Sequence, residues 1–411
     1  MNFELFIAKR IISGKTYENR ISSPIIKIAT IAITLGITVM LITVSIGSGF
    51  QKKIRDKMSG FKGHVQIVNY DNNNSDISLI PIKKNQKFYP SFGDIEGIKN
   101  VQVFANKFGV IRTEKDFEGI VFKGVSDDYD FTFFKEYLKK GRLPNFKLDR
   151  NKEILISQAI ANRLHLKLQD TIQIVFSSEK HKNKFAQRKP IIVGVYDAGF
   201  EQFDKIMLIG DIREVQRLNK WEHNEVGGFE VLIDDFNNLE SKGNEIYNSI
   251  PSTLNSATIA ENYPIIFNWL DILDNNVWVI IGIMILVAGI NMITALLVLI
   301  LEQVQVIGIL KALGSPNWSI RKIFLYNASY LILKGLLYGN IMAIVFLLAQ
   351  KYGKFLKLDP ENYYVSTVPI SLDILSIILL NAGTLILCFF MMIIPSYIVT
   401  KIQPSKSIKF A

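Results

Sequence analysis

The sequence contains very few of the residues that most metal sites and disulfide frameworks require. It has one cysteine, Cys388, and four histidines among 411 residues. A single cysteine excludes an intrachain disulfide framework. No two histidines have the H-x-x-x-H spacing of a helical zinc site. The sequence therefore predicts no metal site and no cofactor.

Nucleotide-binding and hydrolase motifs are also missing. A phosphate-binding loop has the pattern G-x-x-x-x-G-K-[ST]. Residues 14–16 supply its last three positions, but Lys9 stands where the first glycine is required. There is no G-x-S-x-G elbow, and the acidic pairs at 127–128 and 234–235 are typical of turns rather than of acid–base catalysis. The sequence thus indicates a protein that is not itself an enzyme.

The net charge of +10 does not indicate a nucleic-acid partner. The basic residues are spread along the chain, and no recognised nucleic-acid-binding motif accompanies them. Lysine and arginine beside membrane-spanning helices bind anionic headgroups and explain the excess more simply. We therefore expect membrane lipid, and not nucleic acid, as a partner.

Long apolar runs are the dominant feature that is present. Three runs carry no charged residue and a fourth carries only Lys334. Each exceeds the ~20 residues that a helix needs to cross the hydrocarbon core, and in lipid a single segment satisfies its backbone polar groups only as a helix. The sequence predicts four transmembrane helices, at residues 28–51, 271–301, 323–350 and 373–400.

Residues 52–270 predict one large water-exposed α+β domain, of one or two lobes, inserted between the first and second spans. Alternating apolar residues at 101–110 and 117–125 predict a β-hairpin, and short strands and helices alternate from 153 to 250. The fold class is therefore a four-helix membrane bundle plus an inserted α+β domain. The remaining segments are an amphipathic N-terminal stretch (1–27), two loops (302–322 and 351–372) and a tail (401–411).

The distribution of charge alone gives only a weak prediction of how the chain is oriented in the membrane. Basic residues flank both ends of the first span, so the positive-inside rule does not decide there. Summed over the chain, slightly more bases lie on the side of the N-terminus, the 302–322 loop and the tail. This favours a cytoplasmic N-terminus, with residues 52–270 and the 351–372 loop across the membrane.

The most specific segment follows the second span. Gly314 predicts a left-handed helix stop, and Pro316 prevents the helix from continuing. The short amphipathic helix before them is predicted to present one apolar face, formed by Val306, Ile309, Leu310 and Leu313. Such a face must be buried against lipid headgroups or against a protein partner, and the residues alone leave both possibilities open.

Residues 307–314, Ile-Gly-Ile-Leu-Lys-Ala-Leu-Gly, resemble the E-I-G-I-L-R-A-L-G signature of FtsX-like permeases, the MacB-type branch of the ABC transporters. Val306 departs from it, because the family usually has an acid there. The resemblance implies a coupling helix that fits a groove on a separate, cytoplasmic ATPase subunit. It also implies a bacterial inner-membrane protein whose large domain is periplasmic. The implied coupling residues are Val306, Ile307, Gly308, Ile309, Leu310, Lys311, Ala312, Leu313 and Gly314.

Several short segments resemble lipoprotein-releasing permeases of the LolC/LolE type: residues 60–67, 123–125 and 363–365, together with 141–144, 153–157 and 166–172, which MacB-type domains share generally. This resemblance implies extraction of lipoprotein cargo from the inner membrane, a second permease subunit and a soluble periplasmic carrier. In that group a protruding hairpin recruits the carrier. The matching insert here is 177–189, which is shorter and lacks the family's prolines, and Gln187 and Arg188 stand where the hairpin has its Gln-Arg pair.

Other membrane residues are assigned to two roles. We predict that the first and second spans line a lipid cavity with Ile37, Met40, Leu41, Met284, Val287 and Ile290. Small residues in the first span (Ala32 and Gly36) and the third (Gly335 and Gly339) predict close helix packing, either within one subunit or at a seam between homo- or heterodimeric permeases. Lys334 is expected at an interior or seam position, with Asn340 helping to solvate it.

The sequence alone leaves two alternative functions open. A MacB-like efflux permease or an FtsX-like signalling permease would use the same four-helix plan without a lipoprotein cavity. An ATPase-independent membrane scaffold or receptor would need no coupling helix. Accumulation of acylated lipoproteins on depletion would distinguish the leading hypothesis from the former, and purification without an ATPase partner would favour the latter.

Overall fold

The computed structural model describes residues 3–13, 22–72, 76–114, 116–147, 152–177 and 185–402. The chain forms two compact units. The first comprises Met1–Phe50, Leu270–Leu356 and Val368–Ala411, and the second comprises Gln51–Trp269 and Lys357–Thr367. Each unit has its own buried core.

In chain order, the helices of the described residues are α1 (Phe3–Ser13), α2 (Ser22–Lys62), α3 (Thr132–Tyr137), α4 (Gln158–Arg163), α5 (Glu201–Asp204), α6 (Ile212–Asn219), α7 (Leu239–Ser249), α8 (Ile259–Asn262), α9 (Pro264–Glu302), α10 (Val304–Ala312), α11 (Asn317–Gly353), α12 (Pro360–Tyr363), α13 (Ile374–Ser396) and α14 (Ile398–Lys401).

The strands of the described residues all belong to the second unit. They are β1 (Val65–Asn69), β2 (Ile82–Lys83), β3 (Ile98–Arg112), β4 (Phe117–Val125), β5 (Leu138–Gly141), β6 (Glu153–Ser157), β7 (Gln173–Ser177), β8 (Phe185–Arg188), β9 (Ile191–Tyr196), β10 (Met207–Asp211), β11 (Glu225–Val226), β12 (Gly228–Ile233) and β13 (Leu254–Thr258).

Four of the described helices, α2, α9, α11 and α13, are long and apolar enough to cross a membrane. Together with the mixed sheet inserted between α2 and α9, they confirm the predicted fold class. The first of them does not end near residue 51 but continues to Lys62. Ile54, Met58 and Phe61 lie three or four positions apart and are fully buried, so this polar-flanked stretch has the apolar stripe of a packed helix. Gly63, with φ of +73°, ends it.

The first unit is held together by close packing of α2 on α11. A Cβ atom added at Gly339 would lie 1.6 Å from Ile37 Cγ2, so only glycine permits this approach. Thr38 Oγ1 donates a hydrogen bond to the Gly339 carbonyl at 3.1 Å, and Thr34 Oγ1 donates to that of Gly335 at 3.3 Å. The glycines at 335 and 339 therefore pack helices within one chain, the first of the two predicted roles.

A polar pair joins α11 to α13. The Asn340 and Asn381 side chains each donate to the other's amide oxygen, at 2.7 and 2.9 Å. Asn340 is thus engaged in helix association and does not solvate Lys334 as predicted. Lys334 itself is exposed on this chain, with its Nζ 5.9 Å from the centre of the Tyr338 ring. Lys334 therefore does not occupy an interior position within this chain, because it faces away from the helix packing, and the alternative position at a seam between subunits stays a prediction.

The second unit is built on one large mixed sheet. In the described residues eleven strands form it, in the order β13-β1-β12-β3-β4-β10-β6-β9-β5, with β7 pairing with β3 and β8 pairing with β7. The predicted hairpin is confirmed, because β3 and β4 pair antiparallel from Phe104↔Val125 to Arg112↔Phe117. The β4–β10 and β6–β9 pairs are parallel. β2 and β11 form a separate two-stranded sheet.

Buried aromatic rings form a cluster in this unit. The rings of Phe61, Phe134 and Tyr196 are within 6.0 Å of one another, centre to centre. A buried ion pair lies beside them, where Lys123 Nζ is 2.7 and 2.8 Å from the two carboxylate oxygens of Glu230. Both side chains are almost completely buried. The unit therefore combines an aromatic core with a fully enclosed charge pair.

Candidate functional site

The segment after the second span forms the predicted short helix. α9 ends at Glu302, and after a break at Gln303 the chain continues as α10. Gly314 adopts a φ of +86°, and the Ser315 N–H donates to the Leu310 carbonyl at 3.0 Å. This is the left-handed glycine stop that the sequence predicts. Pro316 then precedes α11.

The two faces of α10 differ in what they contact. Ile307 is fully buried in the core of the first unit, in the cluster that includes Ile320 and Val399. On the opposite face Ile309 is 52% exposed and Leu313 is 78% exposed. An apolar pair of this size on the outside of a short helix is a surface suited to a partner.

Lys311 fixes the end of α10 to the last helix. Its Nζ donates to the carbonyl oxygens of Ile402 at 2.8 Å and of Thr400 at 3.2 Å. Partial burial lowers the pKa of this amine. Because these carbonyls lie at the C-terminal end of α14, the lysine also has a favourable interaction with the helix dipole there. α10 is thus fixed to the rest of the first unit at two points, through the buried side chain of Ile307 and through Lys311 in its last turn.

These contacts alter the predicted docking face. Ile307 and Gly308 are buried within the chain, and Leu310 packs partly against the same core. They position the helix and are not available to touch a partner. Val306 is half-buried, and the exposed surface is formed chiefly by Ile309, Ala312 and Leu313. Leu310, which the sequence pattern assigned to the exposed face, is half-buried, because a single short helix gives few turns from which to determine the period.

The predicted carrier hairpin is only partly within the described residues. Residues 178–184 lie outside them, whereas Gln187 and Arg188 lie on β8. Gln187 is exposed. Arg188 Nε is 2.7 Å from Glu214 Oε2 in an ion pair within the chain. Arg188 therefore anchors β8 to α6, while Gln187 faces solvent.

A broad cleft of about 1140 Å³ lies beside this hairpin, and no sequence pattern predicts it. Phe117 at the start of β4 and Phe185 at the start of β8 both line it, and they are 79% and 70% exposed. In the described part of the sheet, β8 pairs only with β7, so its other edge is open. Exposed phenylalanines beside an open strand edge form a surface that can accept an apolar or extended partner.

The predicted cavity residues divide into two groups. Ile37, Met40 and Leu41 on α2 are buried in the core of the first unit, and Met284 on α9 packs against that core. The three α2 side chains therefore pack helices and do not line an open surface of this chain. Val287 and Ile290 on α9 are exposed. Among the side chains of α2 whose burial is described, the exposed large apolar ones are instead Ile28, Ile31, Leu35 and Val39.

One cluster that no sequence motif predicts joins the short loop after α11 to the globular unit. The Nζ atom of Lys57 donates to the carbonyls of Gly199 at 2.9 Å and Tyr364 at 3.2 Å. The Phe200 and Tyr364 rings stack with centres 5.3 Å apart, and Lys205 pairs with Glu361. The only sequence signal was a short aromatic segment at 363–365, because a lysine buried by distant carbonyls has no local pattern.

Two family models match this chain. The model of the MacB-like periplasmic core domain matches residues 28–246, and that of the FtsX-like permease C-terminal domain matches residues 278–404. The chain has four apolar helices, an inserted α+β domain and, after the second span, a short helix with an exposed apolar face. This architecture is that of a multi-pass ABC transporter permease. The chain belongs to the family of FtsX-like, MacB-type permeases.

Several relatives that match over the full length are named as lipoprotein-releasing permeases. The chain is 21% identical to the lipoprotein-releasing system transmembrane protein LolE of Haemophilus influenzae, over 99% of both chains. It is also 21% identical to LolC of Neisseria meningitidis, over 100% of this chain and 99% of the relative. The solved periplasmic region of MacB from Actinobacillus actinomycetemcomitans is similar at 15% identity and a TM-score of 0.34, over 50% of this chain and 93% of that one.

Proposed function

We propose that this permease subunit extracts lipoproteins from the bacterial inner membrane and delivers them to a periplasmic carrier, driven by a separate ATPase. The observation that carries the proposal is the exposed face of α10, formed by Ile309, Ala312 and Leu313. That face is apolar, is supported by buried Ile307 and by Lys311, and lies in the segment whose sequence resembles the coupling-helix signature of the family.

Energy input is required by the chemistry of the cargo. Withdrawing an acyl chain from a bilayer costs about 0.8 kcal/mol per CH₂, so removing a multiply acylated protein costs on the order of tens of kcal/mol. A docked ATPase supplies such energy only if movement reaches the spans. Because α10 is anchored in the core that α9, α11 and α14 share, displacing it displaces those helices as well.

The route for acyl chains is assigned to the exposed faces of the first two spans. On α9, Val287 and Ile290 keep their predicted role, and on α2 we assign Leu35 and Val39 in place of the buried residues. A second permease subunit, identical or related, would close this route from the other side. Gly36, beside which an added Cβ meets nothing within 4 Å in this chain, lies on the same helix and leaves room for close approach.

Carrier docking is assigned to the cleft beside the β7–β8 hairpin. Phe117 and Phe185 offer apolar area, and Gln187 and the bases of the insert lie alongside in the sequence. Replacing both phenylalanines by serine should abolish carrier binding in a pull-down with purified carrier. Phe108→Ser is the matched control, because Phe108 is an exposed phenylalanine of the same sheet that does not line the cleft.

The coupling step is tested on α10. The double variant Ile309→Asp/Leu313→Asp should weaken ATPase binding by at least about tenfold, since central apolar residues dominate interface energetics. The conservative double variant Ile309→Val/Leu313→Met should retain binding. Co-purification in detergent and ATP turnover by the complex are the measurements. Unchanged co-purification of the aspartate variant would support the scaffold alternative instead.

Cargo is tested by depletion and reconstitution. Depleting the permease should cause acylated lipoproteins to accumulate in the inner membrane, and proteoliposomes with the ATPase should release lipoprotein only when ATP and carrier are present. Normal lipoprotein sorting together with drug sensitivity or cell chaining would instead favour MacB-like efflux or FtsX-like signalling, and the lipoprotein proposal would then be abandoned.

A further inference from the structure

A cleft of about 460 Å³ lies between α1 and α11 within the first unit. It is separate from α10's outer face and from the exposed faces of α2 and α9. Its lining comes from two helices and is mostly apolar: Leu5 and Lys9 on α1 line it together with Tyr326, Asn327, Tyr330 and Leu333 on α11.

Asn327 is the unusual residue of this cleft. It is 1% exposed, and neither its side-chain nitrogen nor its oxygen has a hydrogen-bond partner among the described residues. Other amides of the same unit are satisfied: Asn340 pairs with Asn381, and Gln350 bonds to the backbone at Leu356 and Val368. A buried amide without partners is strongly disfavoured, so Asn327 is suited to a ligand that both accepts and donates hydrogen bonds.

The position of the cleft limits what this ligand can be. Near the start of α11, the Arg321 guanidinium lies over the rings of Trp318 and Tyr397 at 5.1 and 5.7 Å, which is the composition of a membrane interface. Asn327 is ten residues beyond the start of the helix, about 15 Å along its axis. This places the cleft near the boundary between the headgroup region, which holds the phosphates, and the hydrocarbon core, next to which the ester carbonyls lie.

We propose that this cleft binds one anionic phospholipid whose headgroup carries hydroxyls, such as a phosphatidylglycerol. Lys9 provides the positive charge for the phosphate. Asn327 donates to an ester or phosphate oxygen and accepts from a headgroup hydroxyl. Leu5 and Leu333 contact the first carbons of an acyl chain. The lipid thereby joins the N-terminal helix to the third span as a structural ligand, independently of cargo.

The test uses the full-length chain, delipidated in detergent, with its thermal unfolding followed by intrinsic fluorescence. Added dioleoylphosphatidylglycerol should raise the unfolding temperature in a saturable way. Dioleoylphosphatidylcholine, whose headgroup has no donor, should act more weakly, and glycerol 3-phosphate should have no effect. Asn327→Leu and Lys9→Gln should each raise the half-saturating lipid concentration about tenfold, equivalent to about 1.4 kcal/mol.

Matched controls separate a binding defect from a loss of stability. Lys334→Gln removes an exposed cation of α11 outside the cleft, and Asn340→Leu removes a paired amide, so both should leave the half-saturating concentration unchanged. If Asn327→Leu fails to fold, the Lys9→Gln variant tests the proposal by itself, because Lys9 is exposed and its replacement should leave the fold intact. Equal half-saturation in wild type and Lys9→Gln, or equal stabilisation by glycerol 3-phosphate, would overturn the proposal.

Discussion

Buried charged residues show most clearly how single side chains shape the globular unit. Lys123 lies at the end of β4 and is enclosed by Glu230 on β12, with the Phe61 carbonyl 2.6 Å from its Nζ. Glu230 also accepts from the Gln102 side chain at 3.0 Å. The ion pair is fully desolvated, so its contribution depends on every partner being present.

Replacing Lys123 alone should be more harmful than replacing the pair. Lys123→Met leaves the Glu230 carboxylate buried without a cation, and we expect a loss of about 3 to 5 kcal/mol in unfolding free energy. The double variant Lys123→Met/Glu230→Leu should recover much of that loss. Thermal unfolding in detergent measures both. A double variant as unstable as the single one would mean that the carboxylate is not the source of the penalty.

Asp204 is a second buried ionisable residue, and it makes the stability of the chain depend on pH. It is 4% exposed, and burial raises the pKa of its carboxyl to about 7, although the Phe200 N–H donates to it at 3.0 Å. The ordinary pKa is 3.8. Between these values the folded chain holds a proton that the unfolded chain releases, so this residue makes stability fall as pH rises from about 4 to about 7.

Asp204→Asn should remove this dependence. Each pKa unit corresponds to about 1.4 kcal/mol, so the variant should gain about 2 to 3 kcal/mol more over wild type at pH 8 than at pH 5. The measurement is the pH dependence of the difference in unfolding temperature between the two full-length proteins. Glu201→Gln, a change in the same short helix at a half-exposed residue, is the control. A constant difference across this range would show that Asp204 does not titrate there.

At the scale of elements, the contact between α2 and α11 depends on glycine residues, whose lack of a side chain lets the two backbones approach closely. An added Cβ at Gly339 overlaps Ile37, whereas one at Gly383 on α13 meets nothing within 4 Å. In lipid, where no hydrophobic force holds helices together, such close approach supplies most of the attraction. The two threonine-to-carbonyl hydrogen bonds are possible only because the backbones are this near.

Gly339→Leu should therefore separate the two helices. Overpacking typically costs about 1 to 3 kcal/mol, and we expect a loss of that size together with weakening of the Thr38 hydrogen bond. Gly383→Leu should have little effect. Thermal unfolding in detergent compares the two variants, and equal stability would indicate that α2 and α11 are not in contact at this point in the membrane.

The type of an element could be predicted from the sequence wherever its hydrophobic pattern extends over many residues. The β3–β4 hairpin follows from strict alternation over many residues, and the four spans follow from uninterrupted apolar runs. Two kinds of feature were not predictable. The α2 extension to Lys62 was hidden because its apolar stripe is interrupted by six charged residues between positions 52 and 62. The edge strand β8 was hidden within a basic insert.

Site residues were predictable as a segment but not as individual contacts. The Ile-Gly-Ile-Leu-Lys-Ala-Leu-Gly motif located α10, yet which of its residues face outward depends on how α14 and α11 pack beneath it. Ile307 and Leu313 are both apolar in sequence, and only the three-dimensional packing assigns one to the core and the other to the surface. The same holds for Ile37, Met40 and Leu41.

At the scale of the whole molecule, the proposed function requires its two binding surfaces to lie on opposite sides of the membrane. Under that proposal an ATPase would reach α10 from the cytoplasm, and a carrier would reach the globular unit from the periplasm. The loop after α11 belongs to the globular unit through Lys57, Phe200 and Lys205. If all four apolar helices cross the membrane, counting crossings from one end predicts that α10 lies on the opposite side from both the globular unit and this loop.

This arrangement predicts a pattern of cysteine labelling. Cys388 is buried and is the only native cysteine, so Cys388→Ser gives a background into which single cysteines are introduced. In spheroplasts, a membrane-impermeant maleimide should label Glu361→Cys and the globular-unit control Tyr247→Cys, both at exposed positions. Gln305→Cys on α10 should react only after the membrane is opened. Labelling of Gln305→Cys together with Tyr247→Cys in intact spheroplasts would place α10 in the periplasm and exclude docking of a cytoplasmic ATPase there.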